Sequence, residues 1–323
     1  MGKAPSIQDQ LAGIARLADQ PPSPEARSEL RKHLSSKVSL VVAKAAEVAA
    51  YWADVELVEN LLPAFERFMI NPSKTDKGCA AKTRILKALL AVECDQEAVF
   101  LKGIRHVQME PGFGGPIDTA AELRALSGLG LVQMGSREAM IELATLLADK
   151  EADARFGAVH ALGQTGSDEA LPLIRFKVLT GDPEPGVLGE CFNALMILSP
   201  KRSLSFVAGY VDRAYPDLCE AAALALGESR LPEAFDALKE KWERNFDRDF
   251  RRLLLLPIAL VRQDTAQEFL LSLVEKAELS VASDAIAALG IYRGDEKVRE
   301  RINAATAGSG KGALRSAFLK EFG

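Results

Sequence analysis

The chain has 323 residues, of which 48% are hydrophobic and 26% are charged, a balance typical of a folded globular protein and not of a disordered one. The 40 Lys and Arg residues against 45 Asp and Glu leave a net charge of −5, the wrong sign for a protein that binds by neutralising phosphates, so a nucleic-acid partner is disfavoured. With 3 His, 4 Cys and 6% aromatic residues, side chains for a metal cluster or a cofactor are scarce, and we expect neither.

The N-terminal segment 1–35 is predicted to form capping helices, with the PPSP run at 21–24 interrupting the first of them. It lacks an apolar stretch long enough for a signal peptide, and nowhere do about 18 apolar residues run uninterrupted. We therefore expect a cytoplasmic protein without a membrane partner. Gly2 and Ser6 match the short myristoylation pattern, which is too permissive to change this expectation.

Ala- and Leu-rich segments recur along the chain and share one register. When the Leu of the recurring Ala-Leu-Gly is taken as an anchor, the anchors lie 29 to 40 residues apart, with a mean spacing of 34. The anchors are Tyr51, Leu89, Leu129, Leu162, Leu195, Leu226, Leu260 and Leu289. A period of this length indicates a repeat architecture in which each repeat is one supersecondary unit.

Within a repeat, apolar residues recur at helical spacing on both sides of a short break. In the repeat around Leu162 the break is the Gly-Gln-Thr-Gly segment 163–166, whose glycines suit a helix end, and Ser167 follows as an N-cap. No run of alternating β-branched residues bounded by turn signals competes with this pattern. Each repeat is therefore predicted to be two amphipathic helices, and the chain to be all-α.

The unit ADARFGAVHALGQTGSDEALPLIRFKVL (152–179) resembles the HEAT-like repeats that are also found in phycobilisome-lyase repeat proteins. Arg155, Ala158 and the Ala-Leu-Gly at 161–163 carry the likeness, which extends over roughly residues 36–305. The resemblance implies a right-handed α-solenoid of about eight helix pairs, an armadillo-like superhelix with a concave groove. A flexible linker and a C-terminal capping helix are expected at 306–323.

If the anchor helices line the groove, as the resemblance implies, the residues five and two positions before each anchor share one stripe. The polar members, with one residue a turn further along, are Arg84, Lys87, Arg124, His160, Gln164, Glu190 and Asn193. We expect this set to contact a partner. Four of them form a basic stripe (Arg84, Lys87, Arg124, His160), and the forked guanidinium of Arg suits an acidic or carboxylate-bearing segment. The alternative is a solvated helix face in which the arginines pair with acidic neighbours.

The widest anchor spacing, 40 residues, coincides with the segment GIRHVQMEPGFGGPIDT at 103–119. Its prolines and glycines exclude a regular helix, so we expect an exposed loop, followed by a capping box of Thr119 and Glu122. Loops on rigid scaffolds often carry binding residues. In the 106–116 loop the candidates for partner contact are His106, Met109, Glu110 and Phe113. The alternative is that Phe113 packs back over the adjacent helix pair.

Residues 239–252, KEKWERNFDRDFRR, combine aromatic and basic side chains, which raises the question of DNA binding because some HEAT-like proteins are DNA glycosylases. Trp242, Phe246 and Phe250 are spaced four apart, as on the buried face of a helix. The arginines alternate with Glu and Asp. We therefore expect core aromatics with a salt-bridged surface, and not a nucleic-acid site.

Catalytic motifs are missing from the sequence. GSGKG at 308–312 lacks the first Gly, the hydroxyl residue and the preceding strand of a phosphate-binding loop, and the Gly-Phe-Gly at 112–114 lacks the third Gly of a dinucleotide site. The three histidines lie in different repeats, and we expect no catalytic residue and no metal ligand. The cysteines, which form no CxxC pair and are expected to be buried thiols in a reducing compartment, are Cys79, Cys94, Cys191 and Cys219.

The sequence therefore predicts a non-catalytic scaffold or adaptor that binds another protein in its groove and through the 106–116 loop. The resemblance suggests an alternative, a bilin-lyase-like or chaperone-type accessory for cofactor attachment. A third possibility is a nucleic-acid-binding HEAT-like protein. One architecture hosts many functions, so the fold does not choose between these.

Overall fold

The computed structural model describes residues 6–307 and 312–323. Over these residues the chain forms 20 α-helices, a few short 3₁₀ turns and one two-stranded antiparallel sheet. None of the helices in the two described ranges has the length and apolarity that a membrane crossing requires. The chain divides into two compact units, Met1–Gly166 (unit 1) and Ser167–Gly323 (unit 2).

Unit 1 contains ten α-helices and both strands. They are α1 (Ile7–Ala18), α2 (Pro24–Leu34), α3 (Ser39–Trp52), α4 (Val58–Phe68), α5 (Pro72–Thr75), α6 (Ala80–Ala91), α7 (Glu97–Ile104), β1 (Met109–Gly112), β2 (Gly115–Asp118), α8 (Ala121–Gln133), α9 (Ala139–Leu146) and α10 (Ala152–Gly163). Helices α1, α3, α6, α8 and α10 pack side by side in a first layer, against which α2, α4, α7 and α9 pack as a second layer.

Unit 2 repeats this arrangement with the other ten helices. They are α11 (Ala170–Thr180), α12 (Pro185–Leu198), α13 (Pro200–Ala208), α14 (Pro216–Glu228), α15 (Pro232–Arg244), α16 (Arg248–Leu260), α17 (Asp264–Lys276), α18 (Leu279–Leu289), α19 (Glu296–Thr306) and α20 (Gly312–Phe322). Its first layer is the row α12, α14, α16, α18 and α20, and the odd-numbered helices from α11 to α19 pack against that row.

Small residues let the first-layer helices approach closely. Gly157 on α10 faces α8, and a Cβ at this position would lie 2.2 Å from the Cβ of Ala125. All eight anchor positions lie on first-layer helices, from Tyr51 on α3 to Leu289 on α18. The predicted helical repeat, with its HEAT-like helix pairs, and the all-α fold class are thereby confirmed within each unit. The handedness and the domain boundaries at 35/36 and 305/306 stay predictions.

Three local elements differ from those predicted from the sequence. Residues 109–118 form a β-hairpin and not an irregular loop. The capping box of Thr119 and Glu122 does not form, because α8 begins at Ala121 and has no side-chain cap bond at its N-cap Ala120. The aromatic run of 239–252 does not lie on one helix, because Asn245 and Asp247 are in the break between α15 and α16. Phe246, in that break, is exposed.

The four cysteines are buried and carry free thiols, as predicted. Burial raises the pKa of the Cys79 and Cys191 thiols to about 12, so neither is a nucleophile near neutral pH. The GSGKG motif falls largely on residues 308–311, and Gly2 on residues 1–5, and both lie outside the described residues, as does the centre of the predicted 306–323 linker.

Candidate functional site

The β-hairpin of unit 1 is a regular two-residue hairpin. Its register pairs Met109 with Asp118, Glu110 with Ile117, Pro111 with Pro116 and Gly112 with Gly115, so Phe113 and Gly114 form the turn. Gly114 and Gly115 have φ of 102° and 134°, a region that strains any residue with a Cβ. A Cβ on Gly112 would lie 2.8 Å from Ile117 Cγ2. The glycines that suggested a loop are therefore required by the turn.

The hairpin presents apolar side chains to solvent. Phe113 at the turn is fully exposed, and Met109 and Ile117 are each about half exposed (52%). We call Phe113 the apolar tip. Met109 and Ile117 lie nearer the base and on opposite faces of the hairpin, because cross-strand partners share a face and Met109 pairs with Asp118 whereas Ile117 pairs with Glu110. The alternative in which Phe113 packs over the adjacent helices is excluded by its exposure. Tyr51, Phe176 and Phe246 are exposed as well, so exposure alone does not mark a contact residue. Phe113 differs from them in its place at the turn of a hairpin.

Beneath the hairpin lies a buried ion pair. Asp76 and Lys82 both have fully buried side chains, and Lys82 Nζ lies 2.9 Å from Asp76 Oδ2. The same carboxylate accepts the backbone N–H groups of Ala81 and Lys82, at 2.8 and 3.1 Å, at the start of α6. The Asp76 carbonyl oxygen accepts a 2.8 Å bond from Nε2 of buried Gln108, which directly precedes β1. The pair therefore fixes the segment before α6 to the base of the hairpin.

Glu110 on β1 gathers three donors on one carboxylate oxygen. Oε1 accepts from Gln108 Nε2 (2.6 Å), from the Gly78 backbone N–H (2.8 Å) and from Thr119 Oγ1 (3.1 Å). Burial alone would raise the pKa of Glu110, but the hydrogen bonds outweigh it and lower the pKa below its ordinary value. Glu110 is thus charged at neutral pH and clamps both strands to unit 1.

Arg124 on α8 closes the base of the hairpin from the other side. Its side chain is 3% exposed, and Nη1 donates to Asp118 Oδ2 (2.7 Å) and to the His106 carbonyl oxygen (2.9 Å). Nη2 donates to Asp149 Oδ1 at 2.9 Å. Asp118 also accepts the N–H groups of Gln108 and Ala120, and these bonds with Arg124 lower its pKa although burial opposes them. Burial has the opposite effect on the cation-forming His106 and lowers its pKa. The Nε2 atom of His106 lies 3.2 Å from Gln108 Oε1.

These contacts make the hairpin a rigid extension of unit 1. Polar groups that are buried in pairs and networks lose their freedom, and removing one partner leaves the other unsatisfied. Sequence reasoning found His106, Met109, Glu110 and Phe113 as a group but missed Asp76, Lys82, Gln108 and Asp118, which hold them. Lys82 stands seven residues before the anchor Leu89, a position that other repeats fill with charged as well as apolar residues, so the pattern did not mark it as buried.

The predicted basic stripe is not a band of free positive charge. On α6, Arg84 Nε lies 2.9 Å from Glu47 Oε1 of α3, and Lys87 Nζ lies 2.6 Å from Glu122 Oε1 of α8. Both cations are partly exposed. The expectation that Arg124 is exposed on this stripe is wrong, because the hairpin covers it and two aspartates bind it. Arg84, Lys87 and Arg124 all pair with acidic neighbours, as the alternative interpretation expects.

The other predicted contact residues are spread over both units. His160 and Gln164 are exposed on α10 and at its C-terminal end, in the first layer of unit 1. Glu190 and Asn193 are partly exposed on α12 of unit 2. Of the predicted residues, the structure brings His106, Glu110 and Arg124 together at the base of the hairpin, whereas Arg84 and Lys87 lie on α6 with Glu47 and Glu122 as their partners. In the part of the chain that the structure describes, no group of three or more His, Cys, Asp or Glu side chains is placed to hold a metal ion.

No family model matches the chain, and no curated protein matches it. Solved structures with a similar chain course include an engineered protein, 16% identical, with 99% of this chain and 96% of that chain covered and a TM-score of 0.41. The complex of CpcE and CpcF of phycocyanin lyase from Nostoc is 17% identical, with 94% and 95% covered and a TM-score of 0.37. Kap121p is 13% identical with a TM-score of 0.46, and 98% of this chain spans only 45% of that longer chain. Likenesses at this level say nothing about function.

Proposed function

We propose that this protein is a non-catalytic scaffold that binds a partner protein through the apolar tip of its hairpin. The observation that carries the proposal is the full exposure of Phe113 on a hairpin whose base is immobilised by buried polar contacts. A preorganised aromatic side chain loses little conformational freedom when it is buried in a partner, so most of its apolar area contributes to affinity. The partner feature that fits is an apolar pocket able to receive a phenyl ring.

We propose that the first-layer face beside the hairpin adds weaker contacts. Arg84 and Lys87 on α6 and His160 on α10 are first-layer residues, and the two α6 cations already have carboxylate partners at 2.9 and 2.6 Å. An acidic partner segment would have to compete with Glu47 and Glu122 for these cations, so its gain is small. This favours an apolar rather than an acidic main contact.

The test compares Phe113→Ser with a matched control, Phe176→Ser on α11, whose side chain is also exposed (67%). Wild type, variant and control are immobilised side by side in native extract, and each captured protein is then purified and titrated against all three. We expect Phe113→Ser to lower the affinity for the captured partner about thirty-fold or more, as loss of a central aromatic contact does. Phe176→Ser should bind the partner as tightly as wild type does.

Equal binding of a purified partner by wild type and Phe113→Ser contradicts the hairpin as the main contact. Equal loss in both Ser variants also contradicts it, because it indicates non-specific apolar adhesion. The accessory role in cofactor attachment and the nucleic-acid role stay predictions. The first is tested by absorption titration with a tetrapyrrole, and the second by DNA retention that weakens steeply with salt.

A further inference from the structure

Unit 2 contains a partly enclosed cavity of about 150 Å³ where α16 and α18 begin. Trp242, Leu255 and Val281 form apolar wall, and Arg248, Arg251 and Arg252 lie on the side of α16. A cavity of this volume is large enough for a benzene-sized group. The site therefore combines a space of ligand size, apolar on part of its wall, with a row of cations, and nothing in the hairpin proposal depends on it.

Two of the cavity arginines are available to an anion. Arg252 lies 3.6 Å from Asp284. Within residues 6–307 and 312–323, neither Arg248 nor Arg251 forms an ion pair. Arg251 is nevertheless held in position, because its Nε donates to the Trp242 carbonyl oxygen at 3.1 Å and its Cζ stacks 4.2 Å from the centroid of the Trp242 ring. A guanidinium fixed in this way presents its remaining donors at little entropic cost.

The N-terminus of α18 adds to the positive field in the cavity. Glu278, Ser280 and Val281 at the start of α18 line it, as does Arg248, the first residue of α16. Among the described atoms, no side chain caps the first N–H groups of α18. The N-terminal end of a helix carries partial positive charge and unsatisfied N–H donors, and both favour the binding of an anion.

Trp242 forms one wall of the cavity. The residue is 9% exposed, and its ring is held between the guanidinium of Arg251, with Cζ 4.2 Å from the ring centroid, and the ring of Phe269, whose centroid is 5.3 Å away. A bound ring would lie next to this indole, so the environment of the indole N–H reports whether the cavity is occupied.

We propose that this cavity binds a carboxylate carried on a small aromatic or apolar body. Three arginines against Glu278 and Asp284 leave one net positive charge among the lining residues, which matches a single negative charge. The forked donors of Arg248 and Arg251 suit a carboxylate, and Leu255 and Val281 offer the contact surface for the body. A free aromatic acid and the C-terminal carboxylate of a peptide that ends in Phe share this chemistry.

The test follows the two indole N–H signals of Trp52 and Trp242 by NMR, assigned with a Trp52→Phe variant, while phenylacetate is added to the full-length protein. We expect the Trp242 signal to shift in a saturable way and the Trp52 signal, from α3 of unit 1, to stay in place. Arg248→Gln is expected to weaken binding about ten-fold. The matched control, Arg244→Gln, removes an exposed arginine that pairs with Glu240 outside the cavity and should bind as wild type does.

Neutral phenylacetamide, inorganic phosphate and a Phe-ended peptide complete the test. An unmoved Trp242 signal with phenylacetate overturns the proposal, and so does an equal shift with phenylacetamide, because charge would then not be recognised. Phosphate binding as tightly as phenylacetate overturns the need for an apolar body. Tighter binding of the peptide than of its amidated form supports the site with a peptide carboxylate as ligand. Because Arg248 is exposed at the first residue of α16, its replacement by Gln should not disturb folding. An unchanged circular dichroism spectrum of the variant checks this.

Discussion

Arg124 beneath the hairpin and Arg251 in the cavity are both guanidinium groups packed among helices, but their surroundings differ. Arg124 has two aspartates and a carbonyl oxygen as partners. Arg251 donates to one carbonyl oxygen and stacks on Trp242 and Phe246, with no carboxylate bound to it among the described side chains. In the first region the polar groups satisfy each other and hold an apolar residue in solvent. In the second region the guanidinium is held in place by aromatic rings and one carbonyl oxygen, and its remaining N–H donors have no carboxylate partner among the described side chains.

These two environments distinguish residues that hold the fold from residues that are open to a ligand. A buried charge with a full set of partners belongs to the structure, and its removal leaves those partners unsatisfied. A fixed charge with open donors next to a cavity adds little to folding and much to binding. Three measurements test this separation.

Arg124→Ala should produce the largest loss of stability. It leaves Asp118 and Asp149 without their cation in a site from which water is largely excluded, and breaking such a pair costs about 3–5 kcal/mol in the free energy of unfolding. Urea denaturation measures the change. The control is Arg105→Ala, which removes the exposed partner of Glu142 and should cost less than about 1 kcal/mol. Equal effects of the two substitutions would show that Arg124 does not support the hairpin.

Acid should weaken the hairpin base through Glu110. Its pKa is lower in the folded protein than its ordinary value of 4.5, so the unfolded chain binds the proton more tightly. The stabilisation is therefore complete above about pH 4.5 and is lost as the pH falls through the folded pKa. Glu110→Gln should lower the free energy of unfolding by about 1 kcal/mol at pH 7 and by less at pH 2.5, because the stabilisation by the charge declines as the pH falls below about 4.5. A constant difference at both pH values would contradict the role assigned to the charge.

The smallest effects on stability are expected at the two binding positions. Phe113 is fully exposed and Arg248 has no ion pair within the described ranges, so Phe113→Ser and Arg248→Gln should each change the free energy of unfolding by less than about 0.5 kcal/mol. Thermal and urea denaturation of both variants measure this. A loss of about 2 kcal/mol or more in either would assign that residue to the fold.

The helices were predictable because burial of one face repeats at 3.6 residues, and the anchors from Leu89 to Leu289 report that burial directly. The hairpin was not, because its strands are four residues long and two of the eight positions are proline and two are glycine. Arg124 was misplaced for a different reason. Helical spacing tells which face a residue occupies, but not which distant segment covers that face, and here the covering segment is the hairpin.

The cavity in unit 2 shows the same limit. The spacing of Trp242, Phe246 and Phe250 predicts one continuous helix face, but Asp247 caps α16 by accepting the Phe250 N–H at 2.9 Å and so ends the pattern. The break turns Phe246 outwards and brings the first turn of α16 beside Trp242 and the start of α18. The cap formed by Asp247 therefore starts a new helix at a place where the spacing of the aromatic residues predicts a continuous one.

The opposed prolines of the hairpin, Pro111 and Pro116, have a consequence for how the protein behaves in a crowded solution. The Gly112 and Gly115 pair next to the turn exchanges ladder bonds, so the backbone nitrogens of the following pair point outwards along both edges. Proline has no N–H, and neither edge offers a donor there to an incoming strand. A second hairpin, or a misfolded chain, therefore meets a closed edge. The two prolines allow an aromatic ring to be displayed without a strand that seeds aggregation.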